Sequence, residues 1–299
     1  MTHLSSRLLA IVLLAFSCNV NAADKLPVVA SFSILGDLVA AVGGERVTVS
    51  TLVGPDTDAH HFDATPSDAK TVVRAKLVVV NGLGFEGWLT RLIKAANYQG
   101  ELVVATNGIK PLQMADDHHA GKMQSDPHAW QDPANMVTYV GNIAAALSKV
   151  DPQGAATYQK NAAQYLQSVK EFDLWAGQQF ATIPAEKRKV ITSHDAFGYL
   201  GARYGITFSA LQGLSTQSQA SAKDMAKLIR QIRKEQIKAV YVENMTNPKL
   251  LAQLSSEAGV TLGEKLYSDA LSVPGGKAPT YLMMMRYNVE QLMAGLRQN

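Results

Sequence analysis

The chain has seven histidines in 299 residues, and their placement is its strongest chemical signal. They are His3, His60, His61, His118, His119, His128 and His194. Three stand close to carboxylates, in Asp58-Ala59-His60-His61-Phe62, Asp126-Pro127-His128-Ala129-Trp130 and Ser193-His194-Asp195-Ala196-Phe197. A neutral imidazole binds first-row transition metals through one ring nitrogen and usually donates its other N–H to an acceptor. His60, His128 and His194, with the carboxylate of Asp269, make a nitrogen-rich set of four donors that suits Zn²⁺. Asp58, Asp126 and Asp195 are the nearby candidates to hold the second ring nitrogens. Taken singly, each histidine is as readily a surface or satisfied core residue, and its local context matches many loops.

The elements that must position these residues narrow the choice. Short runs rich in valine and isoleucine, each followed by glycine or polar residues, read as buried parallel strands. They lie at 26–32, 46–53, 76–81 and 101–105, and again at 189–193, 206–209, 238–243 and 260–267. Helical patterns separate them, so the expected fold class is α/β, with two lobes, each a parallel sheet flanked by helices. In such sheets ligands gather beyond the carboxyl ends of strands. His194 follows the run at 189–193 directly, His60 comes shortly after 46–53, and Asp269 follows 260–267.

Between the lobes, Ala155, Tyr158, Ala162, Tyr165, Val169, Phe172 and Trp175 recur at steps of three and four. That stripe predicts one long helix over 152–181, with Asp151 as N-cap, Pro152 at the first position and Pro184 as the stop. The expected division is a signal segment at 1–22, an N-terminal lobe at 23–150, the linking helix at 151–183 and a C-terminal lobe at 184–299. A stiff connector of this length limits how far the lobes can open. Trp88, Trp175 and the run Met283-Met284-Met285 fall on helical patterns and read as core packing rather than as a thioether site for copper.

The N-terminus begins with a basic residue, Arg7, then the apolar run 8–16, and has small residues before position 23. This is the pattern of a secretory signal cut after Ala22, and the run is too short to span a membrane. Cys18, the single cysteine, lies inside it, preceded by Ala15-Phe16-Ser17, a poor match to a lipoprotein signal. A mature chain without cysteine has no disulfide and no thiolate ligand. A formal charge of +3 gives no reason to expect nucleic acid as a partner. A metallohydrolase would keep an open metal position, which a fourth ligand from Asp269 closes, and the chain has no His-Glu-x-x-His stretch.

Several stretches resemble one family, the metal-specific solute-binding proteins of ABC importers, which includes the zinc and manganese receptors and the metal-binding adhesins. They are VGPDTDAHHFDATPSD (53–68), VNGLGFEGWL (80–89), DPHAWQDPANM (126–136), TSHDAFGYLGARYG (192–205), GLSTQSQASAKD (213–224) and LYSDALS (266–272). The resemblance implies that His60, His128, His194 and Asp269 are the metal ligands, with His61 a supporting or solvated residue. It marks position 194 as one where manganese receptors often carry glutamate and zinc receptors histidine. It implies no enzymatic activity and a fold of two α/β lobes on one long helix. The implied cargo is Zn²⁺, with Mn²⁺ or Fe²⁺ as alternatives. The implied partner is the importer's membrane permease, with room for a periplasmic metallochaperone as donor, and the implied state is a periplasmic monomer. The long histidine-rich loop of many zinc receptors shrinks here to Asp116-Asp117-His118-His119, a surface loop or a weak metal-collecting patch. Residues 211–222 are the candidate segment for movement on metal release.

Overall fold

A computed structural model of the chain describes residues 24–115, 122–216 and 221–299. The signal segment with Cys18, the pair His118 and His119, and part of the 211–222 segment lie outside the described residues. In the first half the order is β1 (Leu26–Phe32), α1 (Ser33–Gly43), β2 (Val47–Val53), α2 (Pro66–Arg74), β3 (Leu77–Val80), α3 (Leu89–Ala95) and β4 (Glu101–Val104). The four strands form one parallel sheet in the order β2-β1-β3-β4. Every residue of β3 is buried, as expected of an all-valine-and-leucine strand covered on both faces. A short antiparallel hairpin follows, β5 (Gln113–Ala115) with β6 (Met123–Ser125), and then α4 (Met136–Val150).

The long helix α5 runs over Ala155–Ala181, 27 residues or about 40 Å at ~1.5 Å per residue. It packs against α1, α4 and α9 (Tyr281–Leu296), so it touches helices from both halves of the chain. Asp151 does not cap it. Residues Pro152–Gly154 form a 3₁₀ turn, and the Asp151 carboxylate instead takes Arg46 (2.8 and 3.0 Å) and the Tyr158 hydroxyl (2.5 Å). An arginine and a phenol compete successfully for a carboxylate that would otherwise meet only backbone amides.

The second half contains β7 (Lys189–His194), α6 (Gly198–Tyr204), β8 (Thr207–Gln212), α7 (Ala222–Glu235), α8 (Lys249–Ala258) and α9. Strands β7 and β8 pair in parallel. The runs at 238–243 and 260–267 extend alongside them but form only isolated bridges, Ile191 with Val240 and Glu243 with Leu266. Backbone bonds do continue across them, Tyr241 N to Ile191 O (2.9 Å) and Leu266 N to Val242 O (3.0 Å). Gly263 passes against the Tyr241 ring, where a side chain would strike it, so this edge is held by close packing as well as by these backbone bonds. Among the described residues no helix is long and apolar enough to cross a membrane. On α9, Met284 and Met285 are buried and Met283 is half exposed, as core packing requires.

Candidate metal centre

His60, His128, His194 and Asp269 come together, each offering one ligand atom within 4.8 Å of the others. All four are buried. The Asp269 carboxylate lies at the centre of the group. Its Oδ2 is 3.2 Å from His60 Nε2 and 3.2 Å from His194 Nε2, and its Oδ1 is 3.7 Å from His128 Nε2. An ion with four bonds of ~2.0–2.1 Å holds its ligand atoms about 3.3–3.4 Å apart at a tetrahedron's edge. The observed separations bracket that value. Despite this closeness, both Asp269 oxygens and the Nε2 atoms of His128 and His194 make no hydrogen bond. Buried polar atoms are almost always bonded, and such a convergent exception is the arrangement a cation satisfies.

Each candidate ligand is placed by a distinct piece of local structure. His60 stands on the irregular connection from β2 to α2. Asp58 turns this loop by accepting the His60 backbone N–H (2.9 Å), and Thr65 and Asp68 end it in a reciprocal capping box before Pro66. The Trp88 indole N–H fixes Ala59 O at 2.9 Å. Asp56 and Asp58 carry the loop to the other half of the chain. Asp56 accepts from Asn244 (2.8 Å), and Asp58 from the Thr216 hydroxyl (2.8 Å).

Trp88 belongs to the loop after β3, whose shape needs glycine. Gly82 and Gly84 have φ of +86° and +84°, and a side chain on Gly82 would strike Val104. Glu86 closes the turn, accepting from Asn81 N (2.6 Å), Gly82 N (3.0 Å) and the Ser31 hydroxyl (2.7 Å). Its burial raises its pKa against the pull of those donors. Asn81 then reaches Pro127 O at 2.9 Å, and Phe85 packs edge-on to His60 with centroids 4.9 Å apart. One loop thus supports both ligands of the first half.

His128 is held from behind by Asp126, whose Oδ1 accepts the His128 backbone N–H (2.9 Å) and Nδ1–H (2.8 Å). His194 ends β7, and its ring Nδ1 meets Glu243 Oε2 in a short contact while its backbone N–H donates to Oε1 at 2.9 Å. The Ser268 hydroxyl donates to the same Oε2 at 2.8 Å. Trp130 and Gln131 both donate to Ser268 O (2.9 Å each), which fixes the loop that carries Asp269. In both rings the carboxylate orients Nε2 toward Asp269.

The electrostatics follow from burial opposed by close carboxylates. Burial pushes the His128 pKa down, but the Asp269 charge and the bond to Asp126 outweigh it and carry it up to about 9. Burial is likewise outweighed at His194 by the charges of Glu243 and Asp269, which raise its pKa well above the usual value. For His60 burial prevails and the pKa falls. Burial would raise the Asp269 carboxyl, yet the positive charges of the His194 and His128 rings hold it well below the ordinary carboxylate range.

Of the three acceptors expected beside the rings, Asp126 takes that role, Asp58 supports the His60 backbone, and at His194 the ring nitrogen meets Glu243 rather than Asp195. Glu243 was not anticipated. It lies 49 residues from His194, and its only sequence signal is a charged residue closing the apolar run at 238–243. Trp88, read as packing, also fixes the His60 loop.

Residues 28–295 match the family model described as "ZnuA: Zinc-uptake complex component A periplasmic". The manganese-binding lipoprotein MntA of Halalkalibacterium halodurans is 34% identical over 276 residues, 92% of this chain and 90% of the relative. The iron-binding protein YfeA of Yersinia pestis is 32% identical over 278 residues, 93% of this chain and 88% of its own length. Among solved structures, the periplasmic zinc-binding protein TroA of Treponema pallidum superposes with a TM-score of 0.85 at 28% identity, over 91% of this chain and 99% of its own. With the fold, the four converging donors and these relatives in agreement, the chain belongs to the ZnuA family of metal-binding receptors for ABC importers, which are not enzymes.

Proposed function

We propose that this receptor captures Zn²⁺ in the periplasm at His60, His128, His194 and Asp269 and delivers it to the permease of its importer. The carrying observation is the donor set, three imidazoles and one carboxylate at separations near a tetrahedron's edge. Imidazole nitrogen suits zinc, whereas manganese favours carboxylate, carbonyl and water oxygen. A manganese reading has its own support, since both Asp269 oxygens face histidine nitrogens and a bidentate carboxylate would add a fifth bond. Relatives named for manganese and for iron keep that reading and an Fe²⁺ one in play. The lobes at 23–150 and 184–299, joined by the helix at 151–183, act as a monomer that a periplasmic metallochaperone could load. Size-exclusion chromatography with light scattering tests the monomer.

Metal competition on chelator-stripped protein decides the cargo. One zinc per chain, retained against excess manganese, is expected. His194→Gln exchanges a nitrogen donor for a neutral oxygen without placing a second carboxylate beside Glu243. It should lower the zinc-to-manganese affinity ratio by about tenfold or more, ~1.4 kcal/mol. Preferential retention of manganese by the parent protein would replace zinc as the cargo. Absence of tight binding by either metal would refute the ligand assignment.

A further inference from the structure

The ion at this centre must cross a wall of buried side chains, and only one ligand offers a way through. The side chains of His128, His194 and Asp269 are 0% exposed, while that of His60 is 6% exposed. His60 also lines a pocket of about 250 Å³ with His61, Asp63, Gly87, Trp88 and Arg91. A wider groove of about 670 Å³ shares Asp63, Trp88 and Arg91 with it and continues between α2 and α3. The pocket at the junction of the two halves, about 220 Å³ and lined by Asp58, His61, Ser193, Met245 and Leu250 among others, shares His61 with the first but includes none of the four ligands.

We propose that the ion enters and leaves past His60 through the pocket between the His60 loop and Gly87-Trp88, not through the junction of the two halves. This inference rests on the receptor reading above. His60 is then the last ligand to bind and the first to leave, because it alone can be displaced from the solvent side. The other two rings are anchored through Nδ1 by Asp126 and Glu243, and their element ends are fixed. His60 stands on the irregular connection between β2 and α2 and is the ligand that lines the pocket. On the pocket wall His61 and Asp63 supply an imidazole and a carboxylate to an ion in transit. Each can replace a departing ligand without leaving the ion short of a donor. Release by this path needs no wide separation of the lobes, which the long helix resists.

The test obstructs each path in turn. Gly87 lines the pocket and is exposed, and a Cβ built on it meets nothing within 4 Å, so the backbone there admits a side chain and Gly87→Trp is the variant chosen to obstruct the pocket. Leu250 is 45% exposed on the wall of the other pocket, and Leu250→Trp obstructs that one. Stopped-flow measurement of zinc loading, and of zinc transfer to a chromophoric chelator, is made on the parent and both variants. Gly87→Trp should slow loading and release by at least tenfold together, leaving the equilibrium affinity within about twofold because both directions share the path. Leu250→Trp should leave both rates unchanged. The smaller obstruction Gly87→Leu should slow both rates by a smaller factor, which keeps the test available if the tryptophan variant misfolds. Parent-like rates in the folded Gly87 variants, or slowing by Leu250→Trp alone, would overturn the path. A parent protein that binds no zinc would refute the zinc assignment instead, a distinguishable outcome.

Discussion

Replacing Glu243 with glutamine keeps the size of the side chain and removes one acceptor oxygen from a buried group that serves three donors. Those donors are the His194 backbone N–H at 2.9 Å, the His194 Nδ1–H and the Ser268 hydroxyl at 2.8 Å. An amide offers one oxygen and one NH₂. With its oxygen toward the backbone N–H, the NH₂ confronts Nδ1, which must then accept a proton's bond rather than donate one. That tautomer puts the ring hydrogen on Nε2, the atom aimed at Asp269, and closes it to a metal. With the amide reversed, the NH₂ meets the backbone N–H and leaves a buried donor unsatisfied, at a cost of roughly 1–3 kcal/mol.

The second arrangement lowers the stability of the metal-free protein; the first predicts a loss of about 10–100-fold in zinc affinity, the usual effect of removing an outer partner of a ligating histidine. That corresponds to ~1.4–2.8 kcal/mol. The assay is zinc titration in competition with a chelator of known affinity, alongside thermal unfolding of the metal-free forms. A metal-free variant that unfolds near the parent's temperature assigns the loss to the site rather than to the fold. Zinc affinity within about threefold of the parent, in a variant whose metal-free form is as stable as the parent, would refute the tautomer argument.

Two further perturbations probe the supports of the site and of the frame. Trp88→Phe keeps an aromatic ring under the His60 loop but deletes the indole bond to Ala59 O; it should cost about 1 kcal/mol of stability and weaken zinc several-fold, read by chemical denaturation and chelator competition. Asp173 on α5 takes the Arg203 guanidinium and the Tyr204 hydroxyl (2.8 Å), and these outweigh burial to hold its carboxyl below the ordinary value. A depressed native pKa stabilises the fold above the unfolded value of about 3.9 and loses that effect as pH falls through the native one. Asp173→Asn should therefore lower stability by about 0.2–1 kcal/mol at pH 7, the scale of a largely solvated pair, and the two proteins should converge in acid. A constant offset in unfolding temperature down to pH 2 would contradict that assignment.

How far the sequence disclosed the site depended on how local each constraint was. Strand β1 has the bounds its apolar run predicts, and β7 extends one residue further, so that His194 itself ends the strand. The stripe from Ala155 to Trp175 marks a helix because tertiary contacts lie along one face of it. Asp126 was legible because it is two residues from the ring it holds. Glu243 was not, because its partner is brought alongside only when the run at 238–243 lies next to β7. The hairpin of β5 and β6 is illegible in the sequence for a different reason: three-residue strands carry no period long enough to detect. At Asp151 the local rule for a cap was sound, but Arg46, 105 positions away, supplied a stronger partner.

The same long-range placement explains how this centre combines charge with nitrogen donors. Asp126, Glu243 and Asp269 are all fully buried, and isolated carboxylates in such surroundings cost several kcal/mol each. A neutral solute cannot balance them; a divalent cation with three neutral imidazoles leaves about one negative charge, spread over the bonds from the His128 and His194 backbones and Ser268. Yet only Asp269 points a carboxylate at the centre. Asp126 and Glu243 act through the rings, so their charge draws a cation in while the atoms that face it stay imidazole nitrogen. Affinity and selectivity are thereby assigned to different residues. Glu243→Gln should weaken zinc without turning the site toward manganese, because the donor atoms are unchanged, whereas His194→Gln should do both. If Glu243→Gln shifted the zinc-to-manganese ratio as far as His194→Gln does, charge behind the ring would be setting the preference, and the donor-type argument for zinc would fail.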